Sequence, residues 1–221
     1  MYLGAASDNK ASTALCFFLQ SVEKYGVPNR VRADQGCENV DIASWMFTVR
    51  GCGRGSFMSG KSVHNQRIER LWRDLCTYYD VLHSLEEEGL LDPADSIHLF
   101  AVHYVFLPRL QADLENFSAA WENHPLRTEQ NLTPNQLWEM GCIQNPIPPP
   151  PDFSEGLFDI EIESQQAEVN AGIVLPSVAC PLNSEGLEEL AQLINPSGPS
   201  QDHGRDIYIS VLNYVLHENT V

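Results

Sequence analysis

Val31-Arg32-Ala33-Asp34-Gln35-Gly36-Cys37-Glu38-Asn39 and, further along, His64-Asn65-Gln66-Arg67-Ile68-Glu69-Arg70-Leu71-Trp72 are the two stretches on which the architecture of this chain turns. The first holds a short run, Val31 to Ala33, that stops at a carboxylate and a polar turn, which predicts a brief strand. The second lies inside the strongest helical pattern, from about Val63 to Leu85. There Ile68, Leu71, Trp72, Leu75, Tyr79 and Leu82 recur at steps of three and four. Glu69 falls about 110° from the centre of that apolar stripe, with Asn65 and Arg73 one turn away on either side. It therefore sits on the shoulder between core and solvent. A strand-end carboxylate and a shoulder carboxylate can converge where a helix meets a sheet, and converging carboxylates bind hard divalent cations such as Mg²⁺. The plain alternative is a turn aspartate and an exposed helical glutamate.

The flanking sequence reads as alternating strands and helices. Tyr2 to Ala6 predicts a short strand. Ser7 or Asp8 then caps a helix carrying Leu15, Phe18, Leu19 and Val22, which Gly26 ends and Pro28 bars from continuing. After the Asp34 turn, Val40, Trp45, Met46 and Val49 predict a short helix closed by Gly51. The glycines of 51–60 predict a loop with a brief strand near Phe57 and Met58. Asp92-Pro93 reads as an N-cap and N1 pair. It opens a helix through Leu99, Val102, Val105 and Phe106, with Pro108 kinking or ending it. Leu110, Leu114, Phe117 and Trp121 make a further helix. Thr133-Pro134-Asn135-Gln136 is a capping box that opens another.

The chain has 221 residues, 43% of them hydrophobic and 19% charged, which is ordinary for a globular protein and excludes a wholly disordered one. No apolar run reaches the ~18 residues of a membrane span, and no basic segment followed by an apolar stretch opens the chain, so no signal peptide is expected. The net charge of −17 is unevenly spread. Residues 1–141 hold 12 basic and 18 acidic groups, whereas 142–221 hold only Arg205 against 12 acids. Residues 24–73 reverse the sign, with nine basic groups against four acidic ones, so a window able to face nucleic acid lies inside an acidic chain. Six cysteines fit no zinc spacing and no secreted disulfide framework, and are read as reduced, mostly buried thiols.

A third stretch, Trp121-Glu122-Asn123-His124-Pro125-Leu126-Arg127 followed by Thr133-Pro134, joins the other two in order and separation. Together they resemble the integrase catalytic core of retroviral integrases and related transposases. The closest likeness is to integrase-core-like proteins encoded in animal genomes. The resemblance covers about residues 1–141. It implies an α/β, RNase H-like fold and DNA integration chemistry, namely DNA strand transfer by an Asp, Asp, Glu triad with two Mg²⁺ ions. It implies Asp34 as the second acid and Glu69 as the third, both as magnesium ligands. It also implies Lys61, Asn65, Arg67, Arg70 and Arg73 as nucleic-acid contacts. The family's first two strands, and its first acid, have no counterpart upstream of Tyr2, so the core reads as N-terminally truncated and inactive. Asp8, the one early carboxylate, reads as a helix cap.

The expected organisation is a partial core over 1–141, a proline-rich linker over 142–152 and a mostly irregular acidic segment over 153–221. Weak helical signals remain at Gly186 to Ile194 and Asp206 to Leu216. The expected partner is DNA, bound weakly, in a nuclear or cytoplasmic protein with no membrane association. The rival reading is a non-enzymatic module, derived from a mobile element, that binds a protein partner through the acidic segment.

Overall fold

A computed structural model describes residues 3–60, 77–144, 146 and 178–218. In chain order the described elements are α1 (Ala11–Tyr25), β1 (Val31–Asp34), α2 (Val40–Arg50), β2 (Phe57–Gly60), α3 (Thr77–Glu87), α4 (Ser96–Asn123), α5 (Pro134–Gln144), α6 (Ser184–Leu193) and α7 (Arg205–Glu218). Short 3₁₀ turns occupy Cys37–Asn39 and Arg127–Glu129. No described helix is long and apolar enough to cross a membrane. The expected α/β class holds in its coarse form: the described residues comprise helices and a two-stranded parallel sheet.

The described residues divide into two compact units. One contains Leu3, 8–60 and 117–144; the other contains 4–7, 77–116 and 178–218. In the first unit, Val22 and Val27 from the end of α1 meet Trp45 and Met46 of α2, and the strand residues Val31 and Phe57 pack on them. Phe18 and Trp45 meet edge to face, with ring centroids 5.4 Å apart. The two glycines read as helix stops are helix stops: Gly26 (φ +80°) and Gly51 (φ +84°) each donate back to the carbonyl four residues earlier. β1 and β2 pair in parallel, Val31 beside Phe57 through Asp34 beside Gly60. The capping box is present in full. Gln136 N donates to Thr133 Oγ1 at 3.2 Å, and Thr133 N donates to Gln136 Oε1 at 2.9 Å.

Three local expectations are corrected. Leu3 to Ala6 is not a strand: among the described residues it pairs with no other strand, and Ala5 N donates instead to the Gln111 side chain at 2.9 Å. Pro108 does not divide its helix; α4 runs through it for 28 residues. A mid-helix proline costs ~3 kcal/mol. Here Ala101, Val105 and Phe106 before it and Leu114 after it are all buried, which offsets that cost. The helix cap is Asp95, whose carboxylate accepts from Ile97 N at 2.7 Å, while Asp92 holds the preceding turn through Ala94 N.

The second unit refines the expected mostly irregular segment. Within its described part, 178–218, the two weak helical signals are full helices that pack into a core. α6 and α7 place Leu190, Tyr208, Val211, Leu212 and Val215 in one core with Leu85, Leu91, Ala101, Val105 and Phe106. α6 begins at Asn183, whose side chain accepts from Gly186 N. The Tyr208 hydroxyl donates to Leu90 O at 3.0 Å and lies 3.2 Å from His98 Nδ1. Burial, with Asp95 adding to it, pushes that phenol up to about 12, so it stays a donor. Arg109 reaches the carbonyls of Pro196 (2.7 Å) and Gly198 and fixes the loop between α6 and α7. Arg205 binds Glu88 through both guanidinium nitrogens. The thiols also differ from expectation: Cys16, Cys37, Cys52 and Cys180 are exposed.

His103 gives this unit a pH dependence of defined sign. Burial on α4 holds its pKa below the ordinary imidazole value. The unfolded chain therefore binds the proton at higher pH than the folded chain does. Stability is fully present above the unfolded value of ~6.5 and is lost as pH falls through the folded one. Urea midpoints at pH 7 and pH 5 should differ more for the wild type than for His103→Gln. Equal pH dependence in the two proteins would remove His103 as the cause.

Candidate functional site

β1 delivers Asp34 to the carboxyl edge of the parallel sheet, the edge at which open α/β sheets bind ligands. Gln35 and Gly36 turn the chain, and the 3₁₀ turn Cys37–Asn39 folds it back before α2 begins. That turn brings two carboxylates to one amide. Asn39 Nδ2 donates to Asp34 Oδ1 at 2.9 Å and to Glu38 Oε1 at 3.3 Å. Gly36 leaves the room that this needs, because a Cβ there would overlap the Glu38 carboxyl group. From the neighbouring strand, Ser59 Oγ donates to the Asp34 carbonyl at 3.4 Å.

Of the residues singled out by sequence, the structure describes Asp34. Glu69, Lys61, Asn65, Arg67, Arg70 and Arg73 lie outside the described residues, as do His64 and most of the long helical pattern that holds them. The register places Gly60 beside Asp34, so the segment containing Glu69 leaves β2 at the position next to the candidate acid. Glu38 and Asn39 were present in the quoted stretch but were not assigned a part. Their signal is spacing: a strand end followed by a tight turn brings positions i, i+4 and i+5 together.

Asp34 and Glu38 offer the hard oxygen donors that Mg²⁺ takes. Among the described residues, however, no group of three or more His, Cys, Asp or Glu side chains is placed to hold a metal ion. These residues alone do not complete a magnesium site. Asp8 also stands outside any such group, since its carboxylate accepts from Thr13 Oγ1 at 2.7 Å and from Lys10 N at 3.1 Å. Those two hydrogen bonds, with Thr13 the larger influence, hold its pKa below the ordinary carboxylate value. The N-cap of α1 is Lys10, without a side-chain cap bond, so neither Ser7 nor Asp8 caps the helix as the sequence predicts.

The third quoted stretch forms the turn between α4 and α5. The His124 ring lies against Trp121, centroids 4.3 Å apart, and its Nδ1 bonds the Trp121 carbonyl. Tyr25 of α1 meets Trp138 of α5 edge to face and donates its hydroxyl to Glu122 at 3.1 Å. These contacts join the turn to α1, and they involve no part of the Asp34 carboxylate.

A comparison with family models finds one match, described as an integrase core domain and spanning residues 1–147. No curated protein and no solved structure matches the chain.

Proposed function

This chain belongs to the integrase core domain family, and from that premise we propose that it is an integrase- or transposase-derived, RNase H-like core. Its ancestral reaction is Mg²⁺-dependent DNA strand transfer. Asp34 and Glu69 are its acids, and Lys61, Asn65, Arg67, Arg70 and Arg73 are its contacts to nucleic acid. The observation that supports this reading best is the position of Asp34. It ends a parallel strand at the ligand-binding edge, in register with the residue from which the Glu69 segment departs.

When bound between such carboxylates, divalent ions activate the attacking oxygen and stabilise the leaving one. The chain's own contribution at the described end is to fix Asp34: Asn39 holds one carboxylate oxygen and Ser59 holds the backbone beside it. Two assigned acids are one fewer than the reaction uses. The 221-residue polypeptide on its own is therefore expected to give no strand transfer and no 3′-end processing with Mg²⁺ or Mn²⁺.

The test reads two signals. Mn²⁺ binding, followed by electron paramagnetic resonance, should be present and should be lost in Asp34→Asn and in Glu69→Gln. Binding unchanged by either substitution would refute the shared site. Strand transfer by the wild-type chain that disappears in both variants would overturn the inactivity and make the polypeptide an enzyme.

A second reading is favoured by one feature of the acidic C-terminal part. α6 leaves Leu187 and Leu193 exposed beside Glu185, Glu188 and Glu189, the arrangement of a helix that binds a basic, partly apolar protein segment. In that reading the old core serves as a scaffold.

A further inference from the structure

The glycine loop between α2 and β2 has an unusual combination of a fixed base and an open tip. At the base, Gly51 N donates to Phe47 O at 2.9 Å, the buried Ser56 donates its hydroxyl to Gly51 O at 3.3 Å, and Val31 N donates to Ser56 O at 2.8 Å. At the tip, Gly51, Gly53 and Gly55 all have positive φ, and a Cβ at any of them would meet nothing within 4 Å. Backbone conformation, not packing against a neighbour, demands glycine there. The result is a bare backbone that a ligand can approach closely, with the exposed Arg54 between two of the glycines.

The base of this loop joins β1, because the bond from Val31 to Ser56 brings the exposed Arg30 to the same junction. One strand step further on is Arg32, also exposed. Alternation along β1 puts Arg32 on the same face as Asp34, two residues or ~6.6 Å away. Its partner in register is the exposed Met58.

Arg30, Arg32 and Arg54 make no ion pair or hydrogen bond among the described residues. Most other described cations are engaged: Lys10 with Asp8, Lys24 over the Tyr25 ring, Arg50 and Arg109 on carbonyls, Arg205 with Glu88. In a chain of net charge −17, free arginines gathered around one two-stranded sheet are a local reversal of sign. At ~0.1 M salt, charges more than ~10 Å away are largely screened, so the local sign governs contact.

We infer that Arg30, Arg32, Arg54 and the tip of the 51–55 loop form a track for the phosphate backbone of duplex DNA, leading along β1 to Asp34. This rests on reading the chain as a DNA-handling core, and it assigns binding to arginines other than those between Lys61 and Arg73. The arginines hold phosphate oxygens and set the register of the duplex, without reading its sequence. The loop tip supplies backbone N–H groups at close approach.

The test measures binding of the full chain to a short fluorescent duplex across a potassium chloride series. Arg30→Gln, Arg32→Gln and Arg54→Gln should each flatten the slope of log K against log salt by about one unit, and the triple variant by about three. Arg127→Gln, an exposed arginine on the turn at 127–129, serves as the charge-matched control and should leave the slope unchanged. A triple variant with the wild-type slope would overturn the track, as would a wild-type chain that shows no salt-dependent binding. Mn²⁺ binding by the same proteins separates this inference from the catalytic reading. If the triple variant loses slope while Asp34→Asn and Glu69→Gln leave Mn²⁺ binding unchanged, the track stands and the catalytic reading falls. The reverse pattern sinks the track alone.

Discussion

A polypeptide ending at residue 177 should lose the cooperative fold of residues 77–116. The truncation removes Leu190, Tyr208, Val211 and Val215, all with no exposed surface, and Leu212 at 8%. Burying one such side chain is worth ~1.5–3 kcal/mol. Five together amount to about 10 kcal/mol, the stability of a whole domain. The same cut exposes Leu85, Ala101, Val105 and Phe106, and it removes the carbonyls that hold Arg109 and the guanidinium that binds Glu88. Hydrogen exchange measured on α3 and α4 should show protection in the full chain and little in the truncated one. Native protection in the truncated chain would mean that α6 and α7 are an accessory layer. Deleting the acidic residues is for this reason a poor probe of DNA binding: it removes negative charge and half of a core at once. Substitutions at exposed arginines avoid that confusion.

The C-terminal segment shows why composition and pattern can point in opposite directions. Acid-rich composition and the prolines before it suggest a solvated tail. Yet Tyr208, Val211, Leu212 and Val215 follow the i, i+3, i+4, i+7 spacing of a helix face. The period was legible in 206–216; what the stripe packs against was not, because its partners lie more than a hundred residues earlier. Some features fixed within a few residues match the sequence reading, although the helix at 96–123 is capped by Asp95 rather than Asp92. Gly26 and Gly51 stop their helices, and Thr133 with Gln136 starts one, because caps depend on local backbone geometry. Leu3 to Ala6 failed as a strand for the opposite reason. A strand is completed by a partner, and a short local run does not supply one. Asp34 was legible as a carboxylate at a strand end. Asn39 and Glu38 were not, since their convergence on Asp34 depends on how tightly the turn closes.

Met46→Ala should be the most damaging single substitution for the Asp34 site, although Met46 touches no ligand. Met46 has no exposed surface, and it closes the small core formed with Val22, Val27 and Trp45. Truncating a buried side chain of this size costs ~2–5 kcal/mol, because lost burial and a residual cavity add. The sheet has little stability of its own to absorb that loss. Among the described residues it has two strands of four residues each, and so small a sheet is not independently stable in water. It holds its register because Val31 and Phe57 rest on this core. Hydrogen exchange at 31–34 and 57–60 should therefore accelerate sharply in Met46→Ala. The bond from Asn39 to Asp34 should weaken with it, since the turn that makes this bond begins where β1 ends. Val40→Ala on the same helix is the control. Val40 is 58% exposed, so its loss should change stability by no more than ~0.5 kcal/mol. Equal effects of the two substitutions would show that the sheet is held by something other than this core, and that the packing of α2 does not govern the placement of Asp34.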